Sequence, residues 1–252
     1  MAKIPVALQM YTVRDIAKDD LPGALRRVAE IGYKGVELAG TGGLSAGELK
    51  GILFDLGLEI AANHVGLEQL ENNLEEVLDY NAELANDYIV CPYIPEGRRR
   101  TAADYRSLAE VLNSIGLECQ DRDLQFCYHN HAFEFEKFDG LFGLDILFDA
   151  TFADVVKAEL DVYWIAYGGE RPVEYIRRYA DRVPLVHLKD LAADEKRSFA
   201  EVGEGILDMP AIVQACRDAR VDWLIVEQDV CKRPPLECAA ISLRNLKQMG
   251  YG

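Results

Sequence analysis

Short apolar runs alternate with longer amphipathic stretches from one end of the chain to the other. The first run, IPVALQM (4–10), reads as a strand. Asp20-Leu21-Pro22 then opens a helix, since proline is tolerated in a first turn where its missing N–H removes no bond. Leu25, Val28 and Ala29 give that helix an apolar face, and Ile31-Gly32 ends it. YKGVELA is a second strand. SAGELKGILFDLG is a helix in which Ser45 and Glu48 have the spacing of a capping box. LEIAANH (58–64) is a third strand, LEQLENNLEEVLDYNAELA one long helix, and DYIVCP (87–92) a fourth strand. A helix follows from Thr101 to Ile115, with Gly116 placed just past its end. LQFCYHNH is the fifth strand. After a short helix near 144–148, VVKAELD (155–161) is the sixth. Pro172 to Ala180 is helical, VPLVHLKD is the seventh strand, MPAIVQACRDA a helix, DWLIVEQD the eighth strand, and a last helix spans 236–247. Eight strand–helix repeats in this length predict a single α/β domain, a (β/α)8 barrel over 1–252. An open doubly wound sheet alternates in the same way, but no GxGxxG follows the first strand.

Composition narrows the partners. The net charge of -16 is the wrong sign for a protein whose main partner is a nucleic-acid backbone. The one basic run, Arg98-Arg99-Arg100, reads as a solvated loop. No segment has the ~20 consecutive apolar residues of a membrane span, and the N-terminal stretch lacks the apolar core of a secretory signal. The 6 cysteines are scattered, without a CxxC pair, and Cys91, Cys127, Cys216, Cys231 and Cys238, in or beside apolar runs, read as buried free thiols of a cytoplasmic protein.

The polar residues that end the apolar strands carry the chemistry. Barrels of this kind build their sites at the C-terminal ends of the strands. Those ends hold Gln9, Glu37, Asn63-His64, His129-Asn130-His131, Asp161, His187 with Lys189 beyond it, and Glu227. All 4 histidines of the chain fall on this one rim. Alternate strand residues share a face, so His129 and His131 are expected to point together into the barrel mouth. A carboxylate closing an apolar strand, as Asp161 and Glu227 do, needs a cation or a donor. Histidine and carboxylate from strands five to eight make the donor set of one divalent ion (Mn, Co, Mg or Zn).

LQMYTVRD, GYKGVELAG, HNHAFEF, LDVYW, PLVHLKD, EVGEGILDMPAI and IVEQD, in that order, resemble the xylose isomerase-like TIM-barrel superfamily. That group includes sugar phosphate isomerases and epimerases, ketose 3-epimerases, inosose dehydratases and endonuclease IV. The resemblance implies a divalent ion held by Asp161, His187 and Glu227, with a fourth ligand from strand five. There the family often has glutamate, and this chain has His129-Asn130-His131, which resembles the His-rich strand end of inosose dehydratases. Either histidine can take that position. The working assignment puts His131 on the ion, with His129, Glu134, Lys189 and Glu227 as acid, base or charge-stabilising groups. Gln9, Glu37, His64 and Trp164 would contact a sugar, with Tyr11 and Trp164 stacking on its face. The implied activity is a sugar (phosphate) isomerase or epimerase that removes a proton beside a carbonyl. The alternative is a dehydratase of keto-sugars or keto-inositols at the same site. The expected partner is a small sugar, with neither nucleic acid nor membrane, and the barrel is compatible with a homo-oligomer.

Overall fold

The computed structural model describes residues 3–251, so the extreme ends of the expected 1–252 domain lie outside the described residues. Eight parallel strands close into a barrel: β1 (Val6–Gln9), β2 (Gly35–Leu38), β3 (Glu59–His64), β4 (Tyr88–Cys91), β5 (Gln125–His129), β6 (Val156–Asp161), β7 (Leu185–Leu188) and β8 (Trp223–Val226). Each pairs with its sequence neighbours, and β1 pairs with β8 to close the ring. Two small antiparallel hairpins, Lys137–Phe138 with Leu141–Phe142 and Asp190–Leu191 with Phe199–Ala200, decorate the loops after β5 and β7. No helix among the described residues is long and apolar enough to cross a membrane.

Local signals account for several helix starts. Ser45 and Glu48 form the capping box, with Glu48 Oε2 accepting from Ser45 N at 2.9 Å and Ser45 Oγ accepting from Glu48 N at 3.3 Å. A second box, Thr101 with Asp104, starts the helix Ala102–Gln120. Caps of this kind contribute about 1 kcal/mol each.

Three expectations are corrected. Gly116 does not end its helix, which runs on to Gln120. A Cβ there would lie 2.6 Å from Val155 Cγ1 and 2.9 Å from Val155 O, so the glycine serves close approach of helix to strand entry. The long helix after β3 is two, Leu67–Asn72 and Leu74–Leu84, interrupted where Asn73 takes φ -136° and ψ 36°. β5 stops at His129, so His131 stands on the loop beyond the strand.

The apolar residues form two bodies. The larger fills the space between barrel and helices. The smaller lies inside the barrel: Ala7, Ala61, Ala62, Val90, Cys127, Leu185, Trp223 and Ile225. Trp223 plugs the lower end. Gly35 yields to it, since a Cβ at 35 would sit 2.9 Å from the indole. Above this plug the inward positions turn polar, and that change of layer defines the floor of the site.

Candidate active site

The period of two along each strand sets the polar layers. On β5 it runs from Cys127 to His129; on β6 from Lys157 through Glu159 to Asp161. On β7 it runs from Leu185 through His187 to Lys189, and on β8 from Ile225 to Glu227 and on to Asp229. Register then brings distant strands level: His129 is opposite Glu159, Asp161 opposite His187, and Gln9 opposite Glu37.

Four of the side chains converge. His129, Asp161, His187 and Glu227, all buried, place one ligand atom each within 4.8 Å of one another. His187 Nδ1 is 2.9 Å from Glu227 Oε2 and 4.0 Å from Asp161 Oδ2, and His129 Nε2 is 3.7 Å from Asp161 Oδ2. His131 is outside this group. Its ring stacks on Phe133 and stands beside Trp164, and it lines the cavity above. Lys189, 1% exposed, lies 2.6 Å from Glu227 Oε2, 2.8 Å from Asp229 Oδ2 and 3.0 Å from Asp161 Oδ2. The neighbouring Asp190 does not pair with Lys189 and accepts the backbone N–H groups of Leu191, Gly203, Gly205 and Leu207.

A cavity of ≈ 380 Å³ opens over this floor. Tyr11, Ala39, Pro92 and Tyr93 form its apolar side; His64, His129, His131, Lys189, Glu227 and Asp229 form the polar side. That volume is at the small end of the ~300–1,000 Å³ range of ligand pockets. Tyr11 stands where a stacking ring is expected. Gln9, Glu37, Glu134 and Trp164 do not line the cavity. Gln9 Nε2 donates to Glu37 Oε2 at 2.7 Å in the layer below. Glu134 is fully buried behind the β5 loop, where it accepts from Tyr128 Oη and, at 2.8 Å, from His131 N. Trp164 backs Lys189, whose Nζ is 5.7 Å from the ring centroid.

Two carboxylates escaped the sequence reading. Glu159 is fully buried and touches His64, His129 and His187. Asp229 holds Lys189. The signal for each was an acidic residue two positions from a recognised one on the same strand face.

Electrostatics follow from burial and the carboxylate excess. Burial opposes charge on every member. Burial pulls the His187 imidazolium down, but Glu159 and Glu37 push its pKa well above the ordinary value. The same opposition, with Glu37 and Glu159 prevailing over burial, raises His64 to about 10. Lys189 is raised by Asp161, Glu227 and Asp229 in spite of burial. Burial lifts Asp161 to about 6, although Lys189 works against the rise. Glu227 is lowered, because Lys189 and His187 outweigh its burial. His129 and His131 are both lowered, chiefly by burial, His131 to about 3. Thus Asp161, Glu227 and Asp229 surround Lys189 while Glu37 and Glu159 meet imidazoles, and either protons on imidazoles or a divalent cation must balance the excess of carboxylates.

The donor set fits such a cation. Two imidazoles and two carboxylates suit a first-row divalent ion. Asp161 Oδ1 accepts Trp164 N at 3.0 Å, while Oδ2 accepts no hydrogen bond and faces Lys189 Nζ at 3.0 Å and His129 Nε2 at 3.7 Å. Asn130 Nδ2, His131 Nδ1 and Trp164 Nε1 are also buried without hydrogen-bond partners. Buried polar atoms are nearly always paired, so their concentration at one rim marks where a ligand completes the site.

Comparison with known proteins agrees with this architecture. An inosose dehydratase of Geobacillus kaustophilus (strain HTA426) is 27% identical over 259 aligned positions, covering 84% of this chain and 83% of that protein. The inosose dehydratase of Clostridium beijerinckii is 27% identical over 165 positions, 58% of this chain and 54% of that protein, so the match spans about half the clostridial relative. Among solved structures, a sugar phosphate isomerase/epimerase from Parabacteroides distasonis ATCC 8503 superposes with a TM-score of 0.84 at 25% identity, over 98% of this chain and 94% of the other. An L-ribulose 3-epimerase shares the fold, with a TM-score of 0.76 at 15% identity over 99% and 94% of the two chains. The family model described as xylose isomerase-like TIM barrel matches residues 25–249, and the chain therefore belongs to the xylose isomerase-like TIM barrel family.

Proposed function

We propose that this chain is a divalent-metal-dependent enzyme acting on a small keto-sugar, as an isomerase or epimerase. The observation that carries the reading is the convergence of His129, Asp161, His187 and Glu227 within 4.8 Å beneath a cavity. His129, rather than the expected His131, would hold the ion with the other three. A divalent ion there supplies Lewis-acid polarisation of a carbonyl and its neighbouring hydroxyl. The chain's own groups do the rest. Lys189 stabilises negative charge developing on the substrate oxygen. His131 lines the cavity with Nδ1 unpartnered. From that position it would be the group that takes a proton from carbon and returns it. Tyr11 and Tyr93 provide a face for an apolar sugar surface and narrow the access of water.

A second reading is a dehydratase, and the name shared by the curated relatives favours it. The same proton abstraction would then be followed by departure of a hydroxyl, with Lys189 or His131 protonating it. Elemental analysis of the purified chain, followed by incubation with 2-ketohexoses and an inosose in heavy water, tests both. One bound ion and solvent deuterium at the carbon beside the carbonyl, with the substrate otherwise intact, supports the isomerase or epimerase. A product lighter than the substrate by one water supports the dehydratase. Absence of any bound divalent ion after loading refutes both.

A further inference from the structure

A second constellation lies beneath the candidate ion site and shares two of its imidazoles. Glu159 Oε2 is 2.9 Å from His129 Nδ1, 2.8 Å from His64 Nε2 and 3.3 Å from His187 Nε2. Glu37 Oε2 is 2.6 Å from His187 Nε2, and its Oε1 is 3.2 Å from His64 Nε2. Both carboxylates are fully buried. The opposite nitrogens of the two shared rings face upward, His129 Nε2 toward Asp161 and His187 Nδ1 toward Glu227. Each ring is therefore clamped between an upper and a lower carboxylate.

His64, His129, Glu159 and His187 also have metal-ligating atoms within 4.8 Å of one another, so the lower set has the donors for an ion of its own. Proton counting separates the two sets. A neutral imidazole has one lone pair and one N–H. If the upper nitrogens of His129 and His187 give their lone pairs to an ion, the lower nitrogens carry hydrogen and need acceptors. Ions in both places would strip the last N–H from two rings, leaving two imidazolates beside four carboxylates.

We infer that Glu159 and Glu37 are positioning residues: they accept Nδ1–H of His129 and Nε2–H of His187 respectively, and so turn Nε2 and Nδ1 upward as ligands for one ion. His64 completes the device. Its Nε2 lies within reach of both carboxylates and holds them together in a space where their charges repel. The inference rests on the ion site proposed above, and it limits the chain to one ion.

The test uses the full chain, stripped of metal and titrated with Zn²⁺ against a chromophoric chelator. Wild type is expected to bind one ion. Glu159→Gln and Glu37→Gln keep the shape of the side chain, and each should weaken Zn²⁺ by about ten- to a hundredfold. In parallel, nitrogen NMR of the ¹⁵N-histidine-labelled, Zn²⁺-loaded wild type reads the tautomers without any variant. Protons on Nδ1 of His129 and Nε2 of His187 are expected. Two ions per wild-type chain, the opposite tautomers, or unchanged affinity in both variants would overturn the inference while leaving the upper site standing. No Zn²⁺ binding by wild type overturns the upper site and this inference together.

Discussion

Replacing Glu134 by glutamine separates two roles that the sequence leaves together. As a catalytic base Glu134 would have to reach the substrate. In the structure it is fully buried and spends its oxygens on Tyr128 Oη and His131 N. Burial drives its pKa from 4.5 up to about 8, against the opposing effect of those same bonds. The folded chain thus holds a proton between those two values that the unfolded chain has lost. The unfolded state binds fewer protons, so stability falls as pH rises through this window. One proton corresponds to a slope of about 1.4 kcal/mol per pH unit, or about 2.7 kcal/mol between pH 5.5 and 7.5. Glutamine keeps the shape, accepts from His131 N through its carbonyl, donates to Tyr128 through its amide, and does not titrate. Urea unfolding of both proteins across pH 5.5 to 7.5 measures the difference. Glu134→Gln should gain on wild type steadily as pH rises, by about 2 to 3 kcal/mol over the range, and should keep most of its turnover. A difference independent of pH would show that Glu134 is ionised throughout. A turnover loss beyond about a hundredfold with metal retained would restore it as an acid or base.

Further outcomes test the site and its frame. His129→Ala should lose bound metal, whereas His131→Ala should keep it and lose turnover by about a hundredfold or more; elemental analysis beside initial rates distinguishes them, and the reverse pattern would return the ligand role to His131. Lys189→Met leaves Asp161, Glu227 and Asp229 without their ammonium. The metal-free variant should lose about 3 kcal/mol or more of stability, and calorimetry should show saturating Mn²⁺ closing much of that gap. Gly116→Ala forces a methyl against Val155 and should cost about 1 to 3 kcal/mol in urea unfolding. If Gly116 were only a helix terminator, as the sequence suggests, alanine would be neutral or stabilising.

What the chain reveals without a structure is what repeats locally. Eight apolar runs separated by amphipathic stretches fall where the barrel strands lie, and Ser45 with Glu48 forms its box within a few bonds of backbone. Asp161, His187 and Glu227 were legible for a related reason: each breaks or closes an apolar run, and burying such a group demands a partner. The partners themselves were not legible. Glu159 follows the same alternation as Asp161, but only pairing with β5 and β7 puts it beside His129 and His187, and only closure of the barrel brings His64 across to it. Which of His129 and His131 converges with Asp161, His187 and Glu227 turns on where β5 ends, and that end is set jointly by pairing across to Glu159 and by Glu134 capturing the loop. Glu37 and Gln9 read as sugar contacts because they end strands; the barrel places them a layer lower, under the imidazoles. Gly116 looked like a helix stop until Val155 from the entry to β6 came against it. Alternation and capping act over a few residues and are written in the order of the chain. Depth in the barrel, and which nitrogen meets which oxygen, come from the stagger of strands that pair across long loops, and only the closed sheet sets that stagger.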